Sequence, residues 1–259
     1  MTVLALMRAL LGAAGTAAGI LVGMPANAGP IGPLFRAPAF LKEVAEPFGV
    51  TRRELGTGLL RNKWLALARK LDDDRVQLAL CDGDRERCVS QAALHLLAIV
   101  DQGRMREGRA RLGEINRAIN LAIRPASDLA QYGELDVWSS PLATFDRGAG
   151  DCEDYAIAKL VALRLAGIAP SDLRLVIVHD VARDEDHAVA AARLDGRWLI
   201  LDNQRMTMIQ DSDARQVRPL FVIDETGISK VEASPLMAGI AALSHQTQAV
   251  VPSEVASAQ

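Results

Sequence analysis

One cysteine of this chain stands where a reactive thiol is expected. Cys152 follows Gly150-Asp151 and precedes Glu153-Asp154, and a run of helix-forming residues begins there. A thiol reacts as its thiolate, and a helix N-terminus stabilises that anion. Asp151 is a natural N-cap, and Gly150 would let a substrate backbone approach closely. The pattern predicts a nucleophilic Cys152, with a buried structural cysteine as the alternative.

A nucleophilic thiol needs a base, and the base needs a third group to orient it. The chain has four histidines. His95 lies in a helical stripe and His245 close to the C-terminus, so His179 and His187 are the candidates for the base. His179 ends one apparent strand and His187 opens the next.

A hairpin signal favours His187 over its rival. Asp195-Gly196 is typical of a two-residue turn between antiparallel strands. With that turn, Val189 pairs with Asp202, and His187 lies diagonally across from Asp202 on the same face, within side-chain reach. We expect the Nδ1–H of His187 to donate to the Asp202 carboxylate, which would complete a catalytic triad with the thiol.

Acidic residues surround the thiol. Asp151, Glu153 and Asp154 would raise the pKa of Cys152, because like charges disfavour the thiolate. Bound Ca²⁺ prefers hard oxygen ligands and would neutralise them, so these three residues are predicted calcium ligands, Asp151 and Glu153 above Asp154. The alternative is that they only stabilise the helix dipole.

The elements that must position these residues change in period along the chain. Apolar residues recur at three- and four-residue spacing from about 50 to 130, which predicts helices. A loop is predicted over about 125–150, followed by a helix that begins at Cys152 and ends at Gly167. Asn116 and Asn120 lie four apart on the last of the early helices; we interpret them as capping or surface residues, with a role facing the site as the alternative.

Strand patterns follow the nucleophile helix. We predict strands over Leu173–Val178, Ala188–Leu194 and Arg197–Leu201, with a final strand near 220–235. Helices, then the nucleophile helix, then an antiparallel sheet make an α+β domain.

The first residues resemble an export signal. Arg8 precedes an apolar stretch from Ala9 to Met24, and Pro25-Ala26-Asn27-Ala28 offers a small-x-small cleavage site before Gly29. This layout predicts a signal peptide over residues 1–28 and a periplasmic protein; a membrane anchor is the alternative, for which the apolar run is short.

The other two cysteines fit an oxidising compartment. Cys81 and Cys88 flank a turn-like segment and are predicted to form a disulfide, with two reduced thiols as the alternative. Zinc is disfavoured because no second CxxC pair or nearby histidine supplies the remaining ligands. The net charge of −3 and the lack of a basic-aromatic run predict no nucleic-acid partner.

Three blocks of residues resemble the bacterial transglutaminase-like cysteine proteases, a family that includes the LapG-like periplasmic enzymes. The blocks are Gly150 to Lys159, His187-Ala188-Val189 and Leu199 to Asn203, with Asp136 to Pro141 ahead of the nucleophile. The resemblance implies a papain/transglutaminase-like fold and a Cys152, His187 and Asp202 triad. It also implies calcium-dependent cleavage of a large surface adhesin under control of an inner-membrane receptor.

The resemblance leaves alternatives for the chemistry. Trp138 could donate its indole N–H to an oxyanion, as a tryptophan does in transglutaminases, or could be a core or groove aromatic; the Cys152 N–H is the other predicted donor. Acyl transfer to an amine uses the same triad, and a non-catalytic periplasmic module that binds calcium or a receptor is the third possibility.

We predict a protease domain over 29–238, with a helical part at about 40–130, a catalytic core at about 131–235 and a disordered tail over 239–259.

Overall fold

The computed structural model describes residues 45–232. The predicted signal peptide (1–28) and the predicted tail (239–259) lie outside these residues, as do both ends of the predicted protease domain (29–44 and 233–238). Within residues 45–232, the structure has no helix with the length and apolar character of a membrane span.

Three helices precede the nucleophile region, as the apolar periodicity predicts. They are α1 (Leu59–Gly83), α2 (Gln91–Arg104) and α3 (Gly108–Ala122). Helix α2 begins where the Ser90 side chain accepts a hydrogen bond from the backbone N–H of Ala93 at 3.1 Å. A disulfide between Cys81 at the end of α1 and Cys88 ties α1 to the segment that leads into α2.

The predicted loop over 125–150 contains regular structure. Two short helices, α4 (Asp128–Tyr132) and α5 (Pro141–Arg147), lie within it, and the short strands β2 (Arg124–Pro125) and β3 (Ala149–Gly150) pair in parallel. Helices of five and seven residues are too short to display apolar periodicity, so the sequence pattern missed them.

Helix α6 spans Cys152–Leu165 and is followed by the sheet. The strands of the sheet are β1 (Thr51–Glu54), β4 (Leu173–Asp180), β5 (Glu185–Leu194), β6 (Arg197–Leu201), β7 (Ile209–Gln210), β8 (Val217–Asp224) and β9 (Gly227–Glu232). All neighbours pair antiparallel, in the order β1-β9-β8-β4-β5-β6-β7. The predicted α+β class is confirmed, while β1 and β7 are additions, and the single strand predicted near 220–235 is a hairpin of β8 and β9.

Apolar residues of the sheet alternate between two cores. One face of β4 and β5 packs against α6, with Leu175, Ala188 and Ala190 buried among the helices. The opposite face buries Val176, Val189 and their neighbours beneath residues near the start of the described chain. Alternation with period two therefore divides each strand between two hydrophobic layers, and α6 is held against the middle of the sheet.

Candidate active site

Cys152 is the first residue of α6 and is half-buried. The short β2–β3 pair delivers the chain to this point, and Gly150 is needed there because a Cβ would lie 2.8 Å from both Cβ and Oδ2 of Asp154. Asp151 occupies the N-cap position, as predicted, but its side chain makes no capping hydrogen bond. The first N–H groups of α6 and the thiol therefore share one end of the helix.

His187 and Asp202 meet across the β5–β6 hairpin. The turn at Asp195-Gly196 pairs Ala190 of β5 with Leu201 of β6. Asp202 directly follows Leu201, and His187 lies three residues before Ala190, so the two side chains come close together. The Nε2 atom of His187 lies 2.9 Å from Oδ1 of Asp202. This contact corrects the expected use of Nδ1, because Nε2 is the ring nitrogen that faces the carboxylate.

The rival histidine is engaged elsewhere. Nδ1 of His179 lies 3.0 Å from Oδ1 of Asp186, and its Nε2 lies 3.4 Å from Oδ1 of Asp184. His95 is exposed on α2, where its ring packs edge-to-face against Phe145. His245 lies outside the described residues.

Cys152 and His187 line the same open cleft, which has a volume of about 620 Å³. Its walls are mainly apolar and include the exposed side chains of Leu59, Leu129 and Leu135. Carboxylates occupy the part of the cleft near the thiol. The cleft can therefore admit an extended peptide beside the cysteine and the histidine.

The surroundings of the thiol oppose its ionisation. Burial raises the pKa of Cys152 first, and the Glu153 carboxylate raises it further. The thiol donates a hydrogen bond to Oε2 of Glu153 at 3.1 Å. Burial and the nearby Glu153 raise the pKa of Asp151 to about 9, and burial raises that of Asp154 to about 7.

Three carboxylates form a cluster beside the thiol, and one was not predicted. Oxygens of Asp128, Asp151 and Glu153 all lie within 4.8 Å of one another. Oδ1 of Asp128 and Oδ1 of Asp151 are buried and have no hydrogen-bond partner. Two unpartnered buried oxygens fit a hard cation such as Ca²⁺, which takes carboxylate ligands.

The cluster departs from the predicted ligand set in one residue. Asp154 uses Oδ1 to accept the N–H of Ser139 at 2.9 Å and is not among the clustered carboxylates. Asp128 takes the third position from α4. The available sequence signal was Ser127-Asp128, a helix start with an acid in its first turn, and such starts are too common to indicate a metal.

Trp138 lines the cleft, but its indole N–H is committed. It donates to Oδ1 of Asp136 at 2.9 Å. The predicted oxyanion role of its N–H is therefore not supported, and Trp138 is a groove aromatic, the alternative interpretation.

Asp202 is stabilised as the carboxylate. Burial would raise its pKa, but the hydrogen bonds from His187 and from the backbone N–H of Gln204 outweigh burial and lower it. The N–H of Gln204 lies 3.0 Å from the same Oδ1 that contacts His187. An ionised Asp202 can orient the imidazole and stabilise its protonated form.

Residues 77–216, more than half of the chain, match the family described as bacterial transglutaminase-like cysteine proteinase BTLCP. No curated protein sequence gives a significant match.

Solved structures of LapG from Legionella pneumophila are similar to this chain. One is 20% identical, covers 66% of this chain and 96% of its own, and has a TM-score of 0.50. An EGTA-treated form is 19% identical, covers 62% and 86%, and also has a TM-score of 0.50. A calcium-bound form is 22% identical, covers 61% and 90%, and has a TM-score of 0.49.

The family match extends across helix α6, strand β5 with His187, and strand β6 with Asp202 directly after it. The helices and the antiparallel sheet have the papain/transglutaminase-like arrangement. The chain belongs to the bacterial transglutaminase-like cysteine proteinases, and it is a cysteine protease with that fold.

Proposed function

We propose that the chain is a periplasmic, calcium-dependent endopeptidase that cleaves a surface protein through Cys152, His187 and Asp202. The observation that carries the proposal is the 2.9 Å contact of His187 with Asp202, in a histidine that lines one cleft with the free cysteine. This is the arrangement of nucleophile, base and orienting group that thiol proteases require.

The chemistry follows from the atoms left free. Nδ1 of His187 accepts the thiol proton, and the sulfur of Cys152 attacks the peptide carbonyl carbon. The N–H of Cys152, at the start of α6, stabilises the oxyanion that forms. The imidazolium then protonates the leaving amine as the C–N bond breaks. Water, deprotonated by the same imidazole, hydrolyses the thioester and releases the acid product and the thiol.

Calcium dependence is supported by this chain's own carboxylates. Asp128, Asp151 and Glu153 would hold the ion, and two of their oxygens are buried without a partner. When bound, Ca²⁺ supplies positive charge that offsets the repulsion between these carboxylates and a thiolate. The structures of Legionella LapG are described as calcium-bound and EGTA-treated for that protein, and we extend calcium to this chain because the carboxylates fit it.

The compartment, substrate and partner come from the sequence. The predicted signal peptide supports the periplasm. The family resemblance supports a large surface adhesin as substrate and an inner-membrane receptor as regulator.

The function is tested by comparing surface and released proteins of the wild-type strain with those of a Cys152→Ala strain. We expect one large surface protein to persist in the variant and to be released by added wild-type protein with Ca²⁺ but not with EGTA. Identical profiles in the two strains would contradict the proposal. A glutamine-donor peptide with a labelled amine is the parallel assay, and amine incorporation that exceeds hydrolysis would favour acyl transfer.

A further inference from the structure

Asp202 stands where the chain leaves the sheet. Strand β6 ends at Leu201, and the next strand, β7, begins at Ile209. We call residues 202–208 the Asp202 loop. Its one backbone–backbone hydrogen bond in the described structure joins the N–H of Arg205 to the carbonyl of Asp202, at 3.4 Å. Strand pairing therefore does not hold the backbone of Asp202.

Two asparagines of α3 donate hydrogen bonds to backbone carbonyls of this loop. Nδ2 of Asn120 donates to the carbonyl of Asp202 at 2.9 Å and to that of Arg205 at 3.0 Å. Nδ2 of Asn116 donates to the carbonyls of Arg205 at 3.3 Å and Met206 at 3.2 Å. Residues four apart lie on one face of a helix, so one face of α3 contacts the loop at three of its carbonyls.

Two cations bind the carbonyls that flank those sites. Nζ of Lys159, from α6, donates to the carbonyl of Leu201 at 3.4 Å. At the far end, Nη2 of Arg109, also from α3, donates to the carbonyl of Met208 at 2.9 Å. Side chains of two helices thus bind the backbone from the residue before Asp202 to the residue before β7.

The burial of these donors is costly and calls for a reason. Asn116 and Lys159 are fully buried and Asn120 is 9% exposed, and burying polar side chains has a cost that their hydrogen bonds must offset. Burial lowers the pKa of Lys159 to about 7, against the opposing effect of the Asp202 carboxylate. Their replacement would leave loop carbonyls buried without donors.

We propose that Asn120, Asn116 and Lys159 are positioning residues. They hold the Asp202 loop in the position where the Asp202 carboxylate contacts His187. This proposal rests on the proposed function only in giving the His187–Asp202 pair a catalytic use. The geometry of the pair can be measured whether or not the protein cleaves a substrate, since an imidazole N–H bonded to a carboxylate gives a downfield proton resonance.

The test is Asn120→Leu, which removes both donors and keeps the side chain close in size. We expect the His187 N–H resonance, assigned by its loss in His187→Ala, to disappear or broaden. On a peptide cleaved in a Cys152-dependent way, we expect kcat to fall about 10- to 100-fold with KM little changed, because a 1 Å misplacement costs about 10²-fold. Asn116→Leu should have a smaller effect, since Asn116 does not contact the carbonyl of Asp202.

The matched control is Ile115→Ala on the same helix. Ile115 is buried against Gly103 of α2, so this variant should lower Tm while it keeps the resonance and kcat. The proposal is overturned if Asn120→Leu lowers Tm like the control but keeps both signals. If Asn120→Leu does not fold by circular dichroism, Asn116→Leu and Lys159→Met take its place under the same criteria. Absent proteolysis in the wild type would refute the proposed function, and the resonance would still decide the positioning role.

Discussion

Burial and a neighbouring carboxylate both lower the reactivity of Cys152. The thiol donates a hydrogen bond to Glu153, and burial together with this acid raises the pKa of the thiol. A thiol in that state is a poor nucleophile at neutral pH. The buried Asp128, which comes from a different helix, completes a set of oxygens that a cation could neutralise. At the scale of the residue, reactivity and cation binding are therefore linked.

Asp128→Asn should remove most of the stabilisation by calcium. At a Ca²⁺ concentration about a hundredfold above its Kd, binding stabilises the wild type by about 3 kcal/mol, which is measurable as a rise in Tm relative to EGTA. We expect most of that rise to vanish in Asp128→Asn, because a charged oxygen ligand is lost. Asp186→Asn is the control, since Asp186 lines the same cleft outside the cluster. Equal shifts in both variants would exclude Asp128 as a ligand.

Between about pH 4 and pH 7 the stability of the calcium-free protein should fall as pH rises; above about pH 7 the lowered pKa of Lys159 acts in the opposite direction. The pKa of Asp151 is raised to about 9 by burial and by Glu153, so at this residue the folded state binds more protons than the unfolded state between about pH 4 and pH 9. The contribution of Asp151 to stability is fully present below its pKa in the unfolded state and is lost as pH rises through its pKa in the folded state. In EGTA, Asp151→Asn should flatten this dependence in a series of thermal melts. A wild-type curve and a variant curve with the same slope would count against it.

At the scale of the element, the start of α6 depends on close packing. Gly150 brings the chain against Asp154 and Thr144, where a Cβ would meet side-chain atoms at 2.8 to 3.1 Å. The hairpin of β5 and β6 depends instead on a tight turn whose two residues have positive φ, 51° at Asp195 and 76° at Gly196. One element presents the thiol and the other presents the histidine–aspartate pair, and α6 packs on β5.

Two glycine substitutions should have opposite effects. Gly150→Ala must displace Asp154 or the start of α6, and we expect it to cost about 1–3 kcal/mol of unfolding free energy and to slow alkylation of Cys152. Gly113→Ala lies inside α3, where a Cβ would make an ordinary 3.5 Å contact with Met208, and should stabilise by about 0.5–1 kcal/mol. Urea unfolding measures both. Similar changes in the two variants would show that the contact at Gly150 is not limiting.

At the scale of the molecule, the helical part and the sheet share one core. Helix α6 lies between the sheet and the earlier helices, so the nucleophile helix is packed from both sides. The Cys81–Cys88 disulfide lies at the end of α1, and neither cysteine lines the cleft. Its role in this architecture is to stabilise the helical part.

Removal of the disulfide should lower stability and spare catalysis. Closing so short a loop contributes roughly 2–3 kcal/mol in the chain-entropy description. We expect the Cys81→Ala/Cys88→Ala double variant to lose about that much unfolding free energy in urea and to keep the wild-type kcat. A fall in kcat at a temperature where the variant is fully folded would show that the helical part also shapes the cleft.

Local patterns determined much of the site. The helix start at Cys152 and the turn at Asp195-Gly196 depend on neighbouring residues, and a turn of known length sets strand register by counting. The pairing of β5 with β6, and through it the meeting of His187 with Asp202, could therefore be predicted from the sequence. The α+β order could also be predicted, because the spacing of apolar residues changes along the chain from a helical to a strand period.

Tertiary structure decided what depends on segments far apart in the chain. Asp128 joins the carboxylate cluster because α4 folds back to the start of α6, and no local pattern encodes that approach. Nε2 rather than Nδ1 faces Asp202, and strand register does not specify the orientation of the ring. Asn116 and Asn120, interpreted from the sequence as capping or surface residues with a role facing the site as the alternative, are buried and donate to carbonyls of the Asp202 loop. Contacts of this kind are set by how elements pack, which periodicity along the chain does not specify.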